Sequence, residues 1–357
     1  MTAALVDDLI AFASIPAPTF AEEPRLEWLE HRLGGEAGSL QRDAAGDLLW
    51  RLGEGPPELA LLVHVDTVFP ADLPLAFVAD AGRLTGPGIG DNAAAVVTVV
   101  DVVAEFAERR GDLPLAVAFT VGEEGLGNLR GAHEACAHLA PRSVIAVEGH
   151  GLEQVLVDAV GSARLRLAIT GPGGHSWANR GTPSAVHALL NLGSRLTALG
   201  TPETPVNVGL VHGGQTVNTI AARAELVVEM RSLEETALER FVAAVELFEV
   251  EAPLQLTVEQ VGRRPGGRLE RSAPLLAVVR EVRKRLGLPD ELAAGSTDAN
   301  AALARGIPAL TLGVARGGLM HSAEEWLEES SLLDGRRQLA EVLEALLGPL
   351  DAFEPAE

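Results

Sequence analysis

The stretch ELALLVHVDTV, residues 58–68, decides the fold class of this chain. It is a short apolar run that ends in polar residues, the pattern of a buried β-strand in a sheet covered on both faces. Runs of the same form lie at residues 113–122, 143–148 and 308–314, and helical patterns lie at 93–109 and 132–139. Strands that alternate with helices predict an α/β domain with a mixed, largely parallel sheet and helices on both faces.

The middle of the chain has a different pattern. Strands are predicted at residues 162–170, 206–212, 222–232 and 254–261, and helices at 183–199 and 237–248. This β-α-β-β-α-β order is typical of a small α+β sandwich. We therefore predict a catalytic domain of residues 1–159 and 266–357, interrupted by an inserted domain at 160–265. The segment GRRPGGR (262–268) suits a returning linker, and the tail 351–357 is expected to fray.

Composition limits the partners and the compartment. With 28 basic and 50 acidic residues the net charge is −22, which disfavours nucleic acid and anionic membranes. The single cysteine, Cys136, permits no intrachain disulfide and no zinc site built from several thiolates. The first residues, MTAALVDDLIAFASIP, have no basic region before the apolar one and predict an amphipathic helix rather than a signal peptide. We expect a cytoplasmic protein.

Polar residues suited to metal binding stand at or just after the ends of the apolar runs. The segments are LLVHVDT, GPGIGDN, FTVGEEG, VIAVEGH, AGSTDAN and GLMHSAEEW, and the candidate ligands and general base in them are His64, Asp91, Glu123, Glu124, Glu148 and His321. The carboxyl ends of parallel strands meet at one edge of a sheet, so these groups are expected to converge. Nitrogen and oxygen donors without sulfur suit two Zn²⁺ ions, with Co²⁺ or Mn²⁺ as alternatives.

Several of these candidates also have a simpler interpretation. His64 and Asp66 could be a core histidine and a turn aspartate, and Asp91 could cap the following helix. Glu123 and Glu124 could form a solvated turn, but two adjacent anions beside a buried sheet are costly without a cation. Taken together, the segments favour a dinuclear metal hydrolase.

Two residues have predicted roles that do not involve binding the metal. A histidine binds metal through one nitrogen when the other is held as a donor, and Asp66 is placed to hold His64 in this way. Glu123 is the predicted general base, which takes a proton from a water molecule activated by the metals.

In these motifs the chain resembles the aminoacylase, acetylornithine deacetylase and glutamate carboxypeptidase family of co-catalytic zinc peptidases, over nearly its whole length. The resemblance implies that His64 and Glu148 hold one ion and that Glu124 and His321 hold the other. It also implies that Asp91 bridges the ions, that Glu123 is the general base, and that the Asp91–Asn92 peptide bond is cis.

The resemblance extends to the inserted domain, which is similar to the family's dimerisation lid and implies a homodimer. Within GPGGHS (171–176), His175 matches a residue that stabilises the oxyanion in the partner's site. Asn218, Arg231, Ser296 and Thr297 match substrate-binding positions. His175 could equally be an exposed loop histidine, and Arg231 an ordinary surface residue.

The resemblance leaves the substrate open. The loop after Asp91 continues NAAAVV, where the family commonly has a lysine and paired glycines. The GPGIGDN form of this loop, with the lid stretch GPGGHSWANRGTPSAVHAL (171–189), is more similar to the tripeptidase and dipeptidase branch. The leading hypothesis is a dimeric hydrolase of small peptides, and the alternative is an N-acyl amino acid deacylase with the same metal site. A third hypothesis, a silent binding protein that keeps the fold, predicts missing ligands, and none is missing.

Overall fold

The structure is a computed structural model that describes residues 2–110 and 113–348. Its contacts divide the chain into two compact units, Met1–Ala159 with Gly267–Glu357, and Val160–Gly266. The assignment of a catalytic role to the first unit and a dimerisation role to the second stays a prediction. The tail 351–357, for which fraying was predicted, lies outside the described residues.

The α-helices of the described residues are α1 Thr2–Ala13, α2 Glu23–Leu33, α3 Ala95–Arg110, α4 Arg130–Leu139, α5 Ala185–Thr197, α6 Glu235–Glu246, α7 Pro274–Leu286, α8 Ala299–Leu303 and α9 Ser331–Leu347. The strands are β1 Ser39–Arg42, β2 Leu48–Arg51, β3 Leu59–His64, β4 Val78–Asp80, β5 Arg83–Thr85, β6 Leu115–Thr120, β7 Ser143–Glu148, β8 Gln154–Ala159, β9 Gly161–Thr170, β10 Gly174–His175, β11 Val206–Gly213, β12 Thr219–Ile220, β13 Arg223–Ser232, β14 Gln255–Arg264, β15 Gly267–Arg268, β16 Glu291–Gly295, β17 Ala309–Gly313, β18 Gly317–Gly318 and β19 Trp326–Glu328.

The first unit is built on a mixed sheet with the strand order β1-β2-β6-β3-β7-β17-β8-β15, and β16 pairs with β8. The central strands β6, β3, β7 and β17 are parallel to one another. Alternate residues of β3 enter two separate cores, because successive side chains of a strand point to opposite faces. Leu61 packs in the core that includes α1 and α3, and Leu62 packs in the core that includes α4 and α8. The predicted α/β fold, with helices on both faces, is confirmed.

A second, small antiparallel sheet in this unit has the order β18-β19-β5-β4. Its register pairs Trp326 of β19 with Thr85 of β5. The sheet thereby joins the loop before Asp91, which follows β5, to the loop of His321, which lies between β18 and β19. Two loops that are distant in sequence are thus held in a defined relation.

The second unit is an antiparallel sheet of order β11-β13-β9-β14 with α5 and α6 packed on one face. Its element order, β9-α5-β11-β13-α6-β14, is the predicted β-α-β-β-α-β arrangement. The predicted linker at 262–268 is partly wrong, because β14 continues to Arg264. A register shift between Gln260 and Gly262 lets the strand stay paired with β9 as far as Ser162.

Among the described residues, no helix has both the length and the hydropathy needed to cross a bilayer. The cytoplasmic location expected from the sequence stays a prediction.

Candidate metal centre

The polar groups of the site lie at one edge of the main sheet. In the parallel register, His64 at the end of β3 is paired with Thr120 at the end of β6, and Glu148 at the end of β7 is paired with Gly313 at the end of β17. Since these strands run in the same direction, the segments that follow them emerge at the same edge. Asp91 reaches this edge from the turn between β5 and α3.

The first cluster is formed by His64, Asp91 and Glu148. Nε2 of His64 lies 3.2 Å from Oδ1 of Asp91 and 3.6 Å from Oε2 of Glu148. The other ring nitrogen, Nδ1, lies 3.2 Å from the backbone oxygen of Asp66, to which it can donate. The His64 side chain is almost fully buried. The structure thus places one nitrogen of His64 against Asp66 and the other against two carboxylates.

The second cluster is formed by Asp91, Glu124 and His321. Nε2 of His321 lies 3.1 Å from Oδ2 of Asp91 and 3.2 Å from Oε1 of Glu124. His321 adopts a φ of +63° in the loop between β18 and β19. Its ring is more exposed than that of His64, so one side of this cluster faces solvent.

Asp91 belongs to both clusters, with one carboxylate oxygen in each. Its backbone is not helical, at φ −97° and ψ 92°, and its peptide bond to Asn92 is cis. Because both side-chain oxygens face histidines, the interpretation of Asp91 as a simple helix cap does not describe the structure.

The donor atoms of the two clusters fit one cation each. Ligands bound to a tetrahedral Zn²⁺ at about 2.0–2.2 Å lie about 3.3–3.6 Å from one another. The separations of 3.1–3.6 Å between histidine nitrogens and carboxylate oxygens are close to that range. In addition, when Nδ1 of His64 donates to Asp66, Nε2 of the neutral ring presents a lone pair to two carboxylates. That arrangement is repulsive unless a proton or a cation lies between them.

The pKa values of the two histidines and of Glu148 reflect the negative charge that is concentrated at this site. Burial alone would lower the pKa of His64, but hydrogen bonds with three neighbouring carboxylates outweigh it and raise the pKa well above its usual value. Hydrogen bonds with Asp91 and Glu124 raise the pKa of His321 to about 10. Burial, together with the charge of Asp91, raises the pKa of Glu148. The site therefore favours positive charge strongly.

Asp66 organises the turn that follows β6. Its Oδ1 accepts the backbone N–H of Glu123 at 3.1 Å, and its Oδ2 accepts that of Glu124 at 2.9 Å and the hydroxyl of Thr19 at 2.9 Å. Burial would raise the pKa of Asp66, but contacts with His64 and these donors outweigh it and lower the pKa. Asp66 is therefore a buried carboxylate that contacts His64 and holds the backbone of both glutamates.

The site residues predicted from the sequence in the second unit lie in two places, a pair of neighbouring loops and strand β13. His175 and Asn218 lie in neighbouring loops, where the ribbon β10–β12 pairs His175 with Thr219 and Ser176 N donates to the backbone oxygen of Asn218. Arg231 lies on β13, and its Nε donates to Glu229 at 2.7 Å. Glu229 also accepts from Arg164, so the Arg231 guanidinium is part of an ion-pair group on the sheet.

The two predicted residues of the GSTDAN loop differ in their surroundings. The hydroxyl of Thr297 lies 2.7 Å from that of Thr311, and it accepts the backbone N–H of Ala299 at the start of α8. Ser296 directly follows the end of β16 and is half-buried. The Thr297 hydroxyl therefore contacts neighbouring residues of the first unit, whether or not it also binds a substrate.

Sequence reasoning missed three buried polar residues that stand in the motifs of the predicted site, namely Asn92, Asp298 and Glu325. Asn92 donates through Nδ2 to Val147 O and accepts the N–H of Gly149, so it bonds on both sides of Glu148. Asp298 accepts the Thr120 hydroxyl at the end of β6. The available signal was that each stands in a motif that also supplies a predicted site residue.

Comparison with known proteins places these motifs in a family. The sequence profile of peptidase family M20/M25/M40 matches residues 60–345, which include His64, Asp91, Glu124, Glu148 and His321. The chain is 26 % identical over 322 residues to an acetylornithine deacetylase of Edwardsiella ictaluri, covering 83 % of this chain and 82 % of that protein. It is 28 % identical over 203 residues to a probable carboxypeptidase of Aspergillus flavus, a match to 49 % of this chain and 46 % of that protein.

The fold is also similar to a crystal structure of a tripeptidase from Staphylococcus aureus, with a TM-score of 0.79 and 23 % identity. That similarity covers 97 % of this chain and 99 % of the tripeptidase, and at this identity it concerns the fold. The family match spans most of the chain and includes both clusters of candidate ligands. The chain is a metal-dependent hydrolase that belongs to peptidase family M20/M25/M40.

Proposed function

We propose that this hydrolase cleaves the amide bonds of small peptides with a dinuclear metal centre. The observation that carries the proposal is the position of Asp91, whose two carboxylate oxygens lie 3.2 Å and 3.1 Å from two different histidines. Asp91 would bridge two cations, with His64 and Glu148 on one and Glu124 and His321 on the other. Two Zn²⁺ ions suit these nitrogen and oxygen donors, with Co²⁺ or Mn²⁺ as alternatives.

Glu123 is the proposed general base. When bound, the cations would polarise the scissile carbonyl and lower the pKa of a water molecule. The carboxylate of Glu123 would take a proton from a water molecule as the water oxygen adds to the carbonyl carbon, and would deliver that proton to the amine nitrogen as the C–N bond breaks. Asp66 accepts a hydrogen bond from the Glu123 backbone, which fixes the point on the turn from which this side chain extends.

His175 is the proposed donor to the oxyanion. Its Nδ1 accepts the backbone N–H groups of Trp177 at 3.1 Å and Ala178 at 3.4 Å. A neutral ring with Nδ1 as acceptor carries its proton on Nε2, so His175 presents a fixed N–H donor from an exposed loop. We propose that this N–H stabilises the oxyanion in the site of a partner subunit.

The second unit has a surface that suits a homodimer. Strand β11 lies at an edge of its sheet and exposes Leu210 and Val211 by 52 % and 55 %. Leu190 of α5, which is 61 % exposed, lines a groove with Val211. An edge strand with exposed apolar residues can pair with a copy of itself across a two-fold axis. We propose that β11 and α5 form that interface.

Polar residues outside the metal centre would bind the rest of the substrate. Arg231 is oriented by its bond to Glu229, and a guanidinium suits the carboxylate of a peptide or an amino acid. Asn218, Ser296 and Thr297 are proposed to add hydrogen bonds to the substrate, by analogy with their family counterparts.

One observation supports a second candidate function, that of an N-acyl amino acid deacylase. The relative matched over 83 % of this chain is an acetylornithine deacetylase, whereas the tripeptidase likeness concerns the fold. An N-acyl amino acid deacylase would use the same metal ligands and the same general base. In peptide hydrolysis the carbonyl carbon belongs to an amino acid residue, whereas in deacylation it belongs to an acyl group such as acetyl or succinyl.

The test combines metal content with a substrate screen. Purified protein is dialysed against a chelator, and activity is measured before and after Zn²⁺ is restored, on dipeptides, tripeptides and N-acetyl and N-succinyl amino acids. Two ions per chain and zinc-dependent release of amino acids from peptides support the proposal. Zinc-dependent release of acetate or succinate alone supports the deacylase. Failure to bind two ions would contradict the dinuclear centre.

A further inference from the structure

Glu325 is a fully buried carboxylate that contacts the loop of Asp91 and has no role in the proposed chemistry. It is 0 % exposed. Its Oε2 accepts the N–H of Gly88 at 2.7 Å, and its Oε1 accepts the N–H groups of Gly90 at 3.1 Å and Asp91 at 2.7 Å. Nε2 of His150 also lies 2.7 Å from Oε1 and donates to it. The carboxylate therefore has four donors, three of them from the backbone that presents Asp91.

The close approach between Glu325 and this loop depends on glycine. A Cβ added at Gly90 would lie 2.7 Å from Oε1 of Glu325 and would overlap the His150 ring. Gly88 has a φ of +71°, in the left-handed region that favours glycine. The glycines of GPGIGD thus let backbone N–H groups point at one buried anion, as in other anion-binding nests.

The small sheet of the first unit sets the distance between the two loops. Glu325 immediately precedes β19, and its backbone oxygen accepts the N–H of Gly86, which immediately follows β5. The pairing of β19 with β5 therefore delivers the Glu325 carboxylate to the loop before Asp91. His321 lies four residues before Glu325, so the same segment carries a candidate ligand and the residue that holds Asp91.

Asp91 is held on its other side as well. The side chain of Asn92 bonds to Val147 O at 3.1 Å and to Gly149 N at 2.8 Å, the residues that flank Glu148. Asn92 thus ties Asp91 to the strand of Glu148, and Glu325 ties it to the segment of His321. Asp91 therefore has a fixed position between the two clusters.

We propose that Glu325 is a positioning residue, which holds the backbone of Gly88–Asp91 so that the Asp91 carboxylate is presented to both clusters. His150 completes the arrangement by donating to the same carboxylate. This inference rests on the dinuclear centre of the proposed function. It concerns the site geometry, because the four groups that donate to the Glu325 carboxylate are three backbone N–H groups and His150, and none of them is the side chain of a candidate metal ligand.

The test is zinc binding by Glu325→Gln, with Glu324→Gln as the matched control. Glutamine keeps the volume, but places an amide N–H₂ against a backbone N–H and so removes at least one bond. Glu324 is the adjacent residue and its side chain is exposed. Affinity of the metal-free protein for Zn²⁺ is measured by competition with a chromophoric chelator. We expect about a 10–100-fold loss for Glu325→Gln, typical of residues that orient metal ligands, and none for Glu324→Gln.

A second readout separates positioning from a general effect on stability. The visible absorption spectrum of the Co²⁺-loaded protein depends on ligand geometry, and we expect it to change in Glu325→Gln but not in Glu324→Gln. Glu325→Asp, which keeps the charge but shortens the reach, provides a second variant if the glutamine protein does not fold, and is expected to weaken zinc binding about tenfold.

The outcomes are distinct. If the wild-type protein binds two zinc ions but a folded Glu325 variant has wild-type affinity and an unchanged Co²⁺ spectrum, the positioning role is wrong and the proposed function stands. If the wild-type protein binds no metal, both the proposed function and the positioning role of Glu325 are wrong. Lower thermal stability with unchanged metal affinity and spectrum would show that Glu325 serves the fold alone and would also overturn the inference.

Discussion

Oδ1 of Asp66 accepts a hydrogen bond from the backbone nitrogen of Glu123 at 3.1 Å. The same carboxylate lies beside Nδ1 of His64, at 3.5 Å. One buried side chain thus links the end of β3, which carries a candidate ligand, to the turn after β6, which carries the proposed base. The relative position of the two depends on Asp66.

Asp66→Asn should weaken both metal binding and catalysis. The amide N–H₂ would face a backbone N–H of Glu123 or Glu124, so one acceptor is lost and two donors oppose each other. We expect about a 10–100-fold loss in zinc affinity and in turnover. The control is Thr19→Val, which removes the third donor to Asp66 and leaves both backbone bonds. Equal effects of the two variants would contradict this role.

Glu123 and Glu124 are adjacent and both buried, yet they should respond differently to substitution. We expect Glu123→Ala to keep its fold and its metal but to lose at least about 10²-fold in turnover, the typical contribution of a general base. Glu124→Ala should lose metal, because Glu124 lies 3.2 Å from His321 in the second cluster. Metal content by mass spectrometry and turnover are measured on both. Normal turnover in Glu123→Ala would remove it from the mechanism.

Leu210→Arg should disrupt the proposed dimer. The side chain is exposed on the edge strand β11, so a charge there disfavours pairing between copies without disturbing the core. We expect sedimentation velocity to show a change from dimer to monomer. Turnover should fall by at least about 10²-fold if His175 supplies its donor to the partner's site. Leu247→Arg, at an exposed apolar residue after α6, is the control and should remain dimeric and active.

Asp47 should make stability depend on pH. It accepts the N–H of Val121 at 2.9 Å, and burial, with the charge of Asp43 adding to it, raises its pKa to about 9. Since an unfolded aspartate has a pKa of about 3.9, the folded protein keeps a proton that the unfolded chain releases. The stabilisation is complete below about pH 4 and is lost as the pH rises toward 9.

The matching variant is Asp47→Asn, which cannot titrate. Between about pH 5 and 8 the unfolding free energy of the wild-type protein should fall relative to the variant by about 1.4 kcal/mol per pH unit, the slope of one proton. Urea unfolding at several pH values, with chelator present to remove metal effects, measures this difference. A difference that stays constant with pH would show that Asp47 is ionised in the folded protein.

Much of the fold and of the site was predictable because the signals are local. Runs such as SVIAVE (143–148) show by their apolar residues that the strand is buried, and show by the following polar residue where it ends. The structure has β7 at Ser143–Glu148, with the same bounds. The order of strands and helices in the second unit was also predicted from periodicity, although β14 extends further than its turn-forming residues indicated.

The residues that hold the site could not be predicted in the same way. Glu325 looks like one more acidic residue of the EE pair in HSAEEW, and nothing local distinguishes it from the exposed Glu324. Its importance arises from the register of β19 with β5, which brings it to residues more than 230 positions away along the chain. Asn92 likewise gains its role from the position of β7.

The sequence by itself determined the central strands of the main sheet, the order of elements in the second unit, the residue types at the strand ends, and hence a hydrolase site without thiolates. These follow from apolar periodicity and from donor chemistry, which are properties of neighbouring residues. Only the tertiary structure decided that the two oxygens of Asp91 face different histidines and that Asp66 and Glu325 hold its surroundings. Those relations depend on sheet register and loop packing, because they join segments that are far apart in the chain.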